Sequence, residues 1–143
     1  MYTSIEQSNT LIGLGLDPKS ADMYYFLDPT PAGNIYVPSL MIAEKHLKSR
    51  MPEYDNGDIP CWSTDSLIRL LPEKIFGPEP KDHPTELMMG KVHGKYSVMY
   101  FDWTGMQHGP EFTGEILLDA LYNMVVWVLE NNISDNGSKL HNN

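Results

Sequence analysis

Residues 113–131, TGEILLDALYNMVVWVLEN, form the most regular pattern in the chain and decide how the rest of it packs. Apolar residues recur there at the spacing of one face of an α-helix. That face consists of Leu117, Leu121, Met124, Val125 and Val128, widened by Ile116, Ala120 and Trp127. The polar residues form a narrow stripe of Asp119, Asn123 and Glu130, interrupted by Val126. The pattern predicts a helix from Thr113 to about Asn131 that lies in the main core with only a strip in water.

The clearest strand pattern precedes this helix. Leu87–Val92 and Tyr96–Trp103 flank His93-Gly94-Lys95, where glycine supplies the positive φ of a hairpin turn. Apolar side chains alternate onto both faces of the second run, which predicts a strand that is covered on both sides or central in its sheet. The glycine-rich run Thr104–Pro110 predicts a loop leading into the final helix.

The first half of the chain alternates helix, strand and loop signals. Thr3-Ser4-Ile5-Glu6 matches a capping box with Thr3 as the cap, and Gly13 and Gly15 end the short helix that follows. The other expected elements are strands at Met23–Phe26 and Ile35–Val37 separated by a break at Asp28–Gly33, a helix at Leu40–Arg50 capped by Ser39, a loop at Pro52–Pro60, a helix capped by Ser63 that Pro72 ends or bends, and a loop at Pro78–Pro84.

These elements predict an α+β fold. We expect an antiparallel sheet around the central Leu87–Trp103 hairpin, helices packed on that sheet, and a long C-terminal core helix. A length of 143 residues suits one domain. We assign residues 1–134 to a single α+β domain and residues 135–143, which are polar and rich in asparagine, to a flexible tail.

Composition indicates where the protein works. The first residues carry neither a basic region nor an apolar core, so no signal peptide is expected. The single cysteine, Cys61, cannot form an internal disulfide, which favours the cytoplasm. No apolar run is long enough to span a bilayer, so we expect no membrane association.

The net charge of −9 bears on the choice of partner. Six acidic residues and one basic residue, Lys139, lie within positions 101–143. Such a surface repels a phosphate backbone, so direct binding to nucleic acid is not expected. The simpler explanation of this charge is that it keeps the protein soluble, and we favour that explanation. The alternative is an acidic docking surface, for which the partner would be a basic protein.

No residue pattern predicts a metal, a cofactor or a nucleophile. The five histidines, at positions 46, 83, 93, 108 and 141, lack the closely spaced second ligand of a zinc site. Cys61 lies beside Trp62 just before a helix, where a thiol pKa can fall, but no base lies nearby in sequence. We therefore expect Cys61 to be a small buried hydrophobic residue.

The strand end and loop at residues 100–108 hold the candidate binding residues. Aromatic side chains stand there beside hydrogen-bonding groups, as in many binding sites. The set is Tyr100, Asp102, Trp103, Gln107 and His108. The simpler alternative is that Trp103 packs on the final helix and that His108 is solvated. The hairpin methionines Met88, Met89 and Met99 either form an adaptable partner surface or fill the core.

Three segments resemble one group of proteins. They are Thr3–Asp17, then Ile59–Ser63 with the following Leu67–Pro72, and then Leu118–Ala120 with the following Met124–Asn131. In this order they are similar to a group of small uncharacterised proteins of gut Bacteroidales, their prophages and mobile elements. Alanine is common in that group where this chain has Cys61, and proline where it has Leu117. The resemblance implies an accessory protein of unassigned function, and it supplies no catalytic residues.

Two functional hypotheses follow. The first is a non-enzymatic accessory or regulatory protein of a phage or mobile element that acts by binding another protein. The second is a small ligand-binding module or enzyme that uses the loop after Trp103. A deep pocket lined by Asp102, Trp103 and His108 would favour the second, and a flat acidic surface would favour the first.

Overall fold

A computed structural model describes residues 1–40, 59–73, 75 and 85–133 of the chain. The helix expected at Leu40–Arg50, the loops expected at Pro52–Pro60 and Pro78–Pro84, and the tail at 135–143 lie wholly or mostly outside these residues. Where the structure does describe residues of these predicted segments, it shows strands. Leu40 is the last residue of one strand, and the end of the predicted loop belongs to another strand, Ile59–Cys61.

The described residues form an α+β fold, as the sequence predicts. The helices are α1 Ile5–Gly13, α2 Thr64–Leu70 and α3 Leu117–Glu130, and a short 3₁₀ turn covers Pro18–Ser20. The strands are β1 Met23–Thr30, β2 Gly33–Leu40, β3 Ile59–Cys61, β4 Glu86–Val92, β5 Lys95–Phe101 and β6 Gln107–Gly114. They build two three-stranded antiparallel sheets, in the orders β2-β1-β3 and β4-β5-β6, where the sequence had suggested one.

The expected break at Asp28–Gly33 is wrong, because β1 continues to Thr30 and pairs with β2 up to Gly33. Gly33 has a φ of +125°, which turns the hairpin. Pro29 is tolerated in β1 because β3 pairs only with Met23–Tyr25. Beyond Tyr25, β2 is therefore the one described neighbour of β1, and the missing N–H of Pro29 can face away from it.

The predicted hairpin is confirmed and forms β4 and β5. His93 and Gly94 have φ values of +51° and +79°, and Val92 pairs with Lys95 across this two-residue turn. Lys95 therefore belongs to β5 rather than to the turn. β5 is the central strand of its sheet, and its Val98 and Tyr100 are completely buried in the core.

The expected loop at Thr104–Pro110 is only partly correct. From Gln107 the chain forms β6, which lies beside β5 up to Gly114. Gly109 and Pro110, which suggest a loop from sequence, lie at an irregularity in the pairing between the Val98 and Tyr100 positions of β5. Bulges at sheet edges accommodate both residue types, so the strand continues through them.

The final helix begins at Leu117, four residues later than predicted, and Ile116 precedes it without a side-chain cap. A Cβ at Gly114 would lie 3.0 Å from the carbonyl oxygen of Ile116 and 3.3 Å from the amide nitrogen of Ala120, so glycine permits the tight passage from β6 into α3. The helix supplies more of the core than any other described element, with Leu118, Ala120, Leu121, Met124, Val125, Val128 and Leu129 buried. Asn123 and Glu130 are exposed, as the predicted polar stripe requires.

Thr3 joins the N-terminus to Trp62, just after β3, and does not cap α1 as predicted. Ser4 is the cap, and its capping box is completed by Gln7. Thr3 is fully buried, and its hydroxyl lies 2.8 Å from the Ser8 hydroxyl and accepts a 3.0 Å hydrogen bond from the Trp62 amide. The Thr3 amide in turn donates to the Trp62 carbonyl at 2.9 Å. These bonds fully engage Thr3, so the helix begins one residue later.

The three segments that carry the resemblance meet in this part of the fold. Thr3 contacts Trp62, and the Gln7 side chain of α1 donates to the Asp119 carboxylate of α3 at 3.3 Å. These contacts give the three segments a structural role, which is to join α1 to the chain after β3 and to α3. No helix in the described part of the chain is long and apolar enough to cross a membrane.

Candidate functional site

The loop between β5 and β6, residues 102–106, is closed by its own backbone. The Asp102 amide donates to the Met106 carbonyl at 2.9 Å, and the Gly105 amide donates to the Asp102 carbonyl at 3.0 Å. Gly105 has a φ of +86°, which favours glycine at this turn. These bonds close the loop between the ends of two paired strands.

The Asp102 carboxylate holds this loop from inside. One oxygen, Oδ1, accepts hydrogen bonds from the Thr104 amide at 2.9 Å, the Thr104 hydroxyl at 2.5 Å and the Met106 amide at 3.0 Å. The other, Oδ2, lies 2.8 Å from Nε2 of His108. The Thr104 hydroxyl and then the His108 ring hold the pKa of Asp102 well below its usual range, and the backbone amides lower it further, while burial opposes them.

These bonds determine what Asp102 can do chemically. Its side chain is 2% exposed, and both of its oxygens already have partners. A general base must have a free lone pair within reach of the proton that it removes. Asp102 is therefore suited to holding the loop and orienting His108, whose side chain is 20% exposed.

Tyr100 lies in the core, away from the loop surface. It is completely buried, and its hydroxyl donates to the Pro72 carbonyl at 2.7 Å. This bond connects the central strand of the second sheet to the chain just after α2. The side chain is thus placed to stabilise packing, and its hydroxyl is engaged within the protein.

Trp103 stands at the loop surface. It is 77% exposed, and Met106, which the sequence pattern did not single out, is 63% exposed. Gln107 is also exposed, and its side-chain amide donates to the Gly109 carbonyl at 3.1 Å. The five predicted residues therefore separate. Asp102 and His108 meet, Tyr100 is in the core, and Trp103 and Gln107 face solvent. Met106 was detectable only as an apolar residue inside a polar, glycine-rich loop.

The simpler alternative, in which Trp103 packs on the final helix and His108 is solvated, is wrong in both parts. His108 is partly buried and pairs with Asp102. The tryptophan that packs between the final helix and this region is Trp127 of α3, not Trp103. A Cβ at Gly109 would lie 2.8 Å from the Trp127 ring, so β6 rests directly on the indole at that point.

Cys61 belongs to a buried network rather than to a reactive site. It is completely buried, and burial, followed by the nearby Asp22 carboxylate, raises its thiol pKa to about 12. Burial also raises the pKa of Tyr25 to about 12, and the Tyr25 hydroxyl donates to the Thr3 carbonyl at 2.8 Å. Asp22 accepts from the Ser63 amide at 2.9 Å and from the Ser63 hydroxyl. Within the described residues, no group of three or more histidine, cysteine or acidic side chains could hold a metal ion.

The edge strand β4 presents a second apolar surface. Met88 is 50% exposed, Met89 42% and Val92 50%. Of the two roles considered for the hairpin methionines, the exposure of Met88 and Met89 favours a partner surface, whereas Met99 is partly buried. Together with Trp103 and Met106, five of the eight exposed large apolar residues in the described part of the chain lie on the second sheet and its loop.

Comparisons with protein-family models, with curated proteins and with solved structures found no match for this chain.

Proposed function

We propose that this protein acts by binding another protein, as a non-enzymatic accessory or regulatory protein of a phage or mobile element. The phage or mobile-element setting rests on the resemblance of the three segments alone. The proposal includes a cytoplasmic location and no direct contact with nucleic acid, both inferred from composition and from the net charge of −9.

The observation that supports protein binding is the exposure of Trp103 and Met106 on a loop that hydrogen bonds to Asp102 hold together. Exposed clusters of large apolar side chains mark interaction surfaces. Tryptophan is enriched among the residues that dominate binding energy, and methionine is enriched at interfaces. Asp102 fixes the loop through its four hydrogen bonds, so little conformational entropy is lost when a partner binds.

The same geometry favours a protein partner over a small ligand or a substrate. Binding sites for small molecules need polar groups that are free to orient the ligand. Here the polar groups of Tyr100 and Asp102 are engaged within the protein, and the two large side chains that the loop exposes, Trp103 and Met106, are apolar. The second hypothesis, a ligand-binding module or enzyme, therefore gains no support from this loop.

A pull-down with matched variants tests the proposal. The bait is compared with a W103S/M106S double variant, which removes the exposed apolar groups and leaves the Asp102 contacts in place. The control is Ile35→Ser, which removes a 52% exposed side chain from the other sheet. We expect a protein that the wild type and the control both recover and that the double variant loses. Equal recovery by all three baits would contradict a role for this loop.

A further inference from the structure

Strand β6 is an edge strand of the second sheet. It pairs with β5 on one side, and none of the described strands pairs with its other side. The opposite edge of this sheet, at β4, is partly occupied, because the Leu87 amide donates to the Glu73 carbonyl at 3.2 Å. An unoccupied edge presents backbone N–H and C=O groups, to which an extended segment can add as a further strand.

The register shows which backbone groups of β6 face away from β5. In an antiparallel pair, residues whose N–H and C=O groups face the partner strand alternate with residues whose groups face away from it. The Asp102 amide donates across the end of the β5–β6 pair, so every second residue of β5 counted back from Asp102 faces β6. Val98 is one of these residues, and its partner Phe112 therefore faces β5. Glu111 and Thr113, on either side of Phe112, direct their backbone groups to the outer edge.

These outward backbone groups make no hydrogen bond within the described part of the chain. Glu111 and Thr113 are both exposed, and no backbone bond beyond the β5–β6 pairing reaches either of them. Towards the loop the edge is interrupted by the irregularity in the pairing, by Pro110, and by the Gln107 side chain, which donates to the Gly109 carbonyl. The run that can accept a further strand is therefore Glu111 to Thr113.

The two faces of the sheet differ in chemistry beside this run. Phe112 pairs with the buried Val98 and lies on the core face, where it is only partly buried. Directly paired residues share a face, so an apolar residue opposite Phe112 on an added strand would cover more of its ring. Glu111 lies on the other face, where its Oε2 accepts a 2.6 Å hydrogen bond from the hydroxyl of the buried Ser97.

The charge at this edge favours a basic segment. Glu111 forms no ion pair with a described basic side chain. Glu115, directly after β6, has an 81% exposed side chain, and its one described ion-pair partner is Lys95 at 3.9 Å. A second copy of the chain, added edge to edge, would bring two sets of these glutamates together, and like charges on paired strands are destabilising. The occupant that fits this edge is therefore a basic segment rather than another copy.

We infer that the outer edge of β6 takes up an extended segment of a basic partner protein in which apolar and basic residues alternate. The backbone of that segment bonds to the N–H and C=O groups of Glu111 and Thr113. An apolar residue packs against Phe112 on the core face, and a lysine or arginine lies beside the Glu111 carboxylate on the other face. The inference rests on the proposed protein-binding function and gives the partner a chemistry.

The test uses synthetic peptides and the full-length protein. The probe is Thr-Arg-Val-Arg-Val-Arg-Thr, whose alternation presents arginine on one face and valine on the other in any register. One control peptide replaces the arginines with glutamate, and a second replaces the valines with serine. We expect the probe to bind more tightly than either control and to bind more weakly as salt rises.

Hydrogen exchange with water at single backbone amides reports the added strand directly. In the free protein, the amides of Glu111 and Thr113 should exchange fast, whereas that of Phe112 should be protected by its bond to β5. The probe should slow exchange at Glu111 and Thr113 by about tenfold at nine-tenths saturation, since only the free tenth of the protein then exchanges. Non-specific attraction of a cationic peptide to an acidic protein would not protect these two amides.

Matched variants define the contact. Thr113→Pro removes an outward N–H group without removing a bond to β5, as edge strands tolerate, and it should weaken binding by at least about fivefold. Thr113→Val keeps that N–H group and should retain binding. Glu111→Gln keeps an acceptor for Ser97 but removes the charge, and it should weaken binding by about two- to fivefold, as expected for one exposed ion pair. Glu130→Gln makes the same charge change at the exposed end of α3 and should leave the affinity unchanged.

Three outcomes would overturn the inference. They are unchanged exchange at Glu111 and Thr113 with millimolar probe, equal binding of the arginine and glutamate peptides, or protection of both amides in the free protein that rises with its concentration, which would indicate pairing with a second copy. If Thr113→Pro does not fold, the exchange pattern and Glu111→Gln still decide. The pull-down tests the loop with Trp103 separately, so failure at β6 is distinguishable from failure of the proposed function.

Discussion

Val125→Asp tests whether α3 is the centre of the core. Val125 is completely buried in the core cluster, whereas Asn123, two residues earlier on the same helix, is exposed. Removing the buried valine forfeits about 1.5–3 kcal/mol of apolar burial. Burying a carboxyl group without a partner adds about 1–3 kcal/mol even in its neutral form. The free energy of unfolding should therefore fall by more than about 3 kcal/mol, and Asn123→Asp should lower it by less than about 0.5 kcal/mol.

The loss should also depend on pH. An introduced carboxyl at this position has a folded-state pKa that burial raises above the unfolded value of about 3.9. Such a group destabilises the fold only above its unfolded pKa, because the unfolded chain then ionises and the folded chain does not. The destabilisation grows by about 1.4 kcal/mol for each pH unit above the unfolded pKa, which amounts to about 4 kcal/mol over the roughly three units up to pH 7. This part of the loss should largely disappear at pH 4.

Urea unfolding followed by circular dichroism at both pH values measures these differences. If V125D does not fold, Val125→Thr provides a milder test, since it exchanges one methyl for a hydroxyl and should cost about 1–2 kcal/mol. Val126→Thr, at a partly exposed position of the same helix, is its control and should cost less. Equal losses at the buried and the exposed positions would refute the assignment of the helical face.

Four further predictions concern the loop, the thiol and the charge. Gly109→Ala should destabilise the protein more than Gly105→Ala in thermal melts, since both positions have positive φ but only Gly109 lies against Trp127. Asp102→Asn should destabilise the protein at pH 7. Because the folded-state pKa of Asp102 is lowered, its carboxylate stabilises the fold at pH values above the unfolded pKa. The difference in the free energy of unfolding between the wild type and this variant should therefore narrow as pH falls from about 5 towards 2. A constant difference would contradict the role of the Asp102 carboxylate in holding the loop. Cys61 should be inert to a disulfide reagent at pH 8 until denaturant is added, and rapid labelling of folded protein would contradict its burial. A gel shift with duplex DNA at low salt should show no complex, and a band at micromolar protein would count against the proposed lack of nucleic-acid binding.

Local patterns in the sequence correctly predicted the elements whose signal repeats along the chain. The spacing of Leu121, Val125 and Val128 places them on one helical face whatever the surroundings, and all three are buried. The His93-Gly94 turn was likewise identifiable because its positive φ values depend on the local residues. The central position of β5 followed from apolar side chains on both of its faces.

The candidate site was predictable only in part, because its contacts depend on partners that approach from elsewhere in the chain. Asp102 and His108 were identified from their positions near a strand end, but their pairing required β6 to fold back along β5. The helical spacing placed Trp127, whose ring lies against Gly109, on the apolar face of α3, whereas nothing local to Trp103 indicates that it is exposed. Whether a tryptophan is buried depends on what packs against it.

Strand β6 shows most clearly what tertiary structure alone decided. Its Gly109 and Pro110 predict a loop, because glycine and proline disfavour a regular strand. The extended backbone forms there because β5 offers a row of hydrogen-bonding groups and a bulge absorbs both residues. The sequence by itself determined the helical face of α3 and the turn before β5, which depend on residues near one another in the chain. The pairing of β6 with β5, the closure of the loop by Asp102 and the order of the strands in the two sheets depend on strands that meet only in the folded protein.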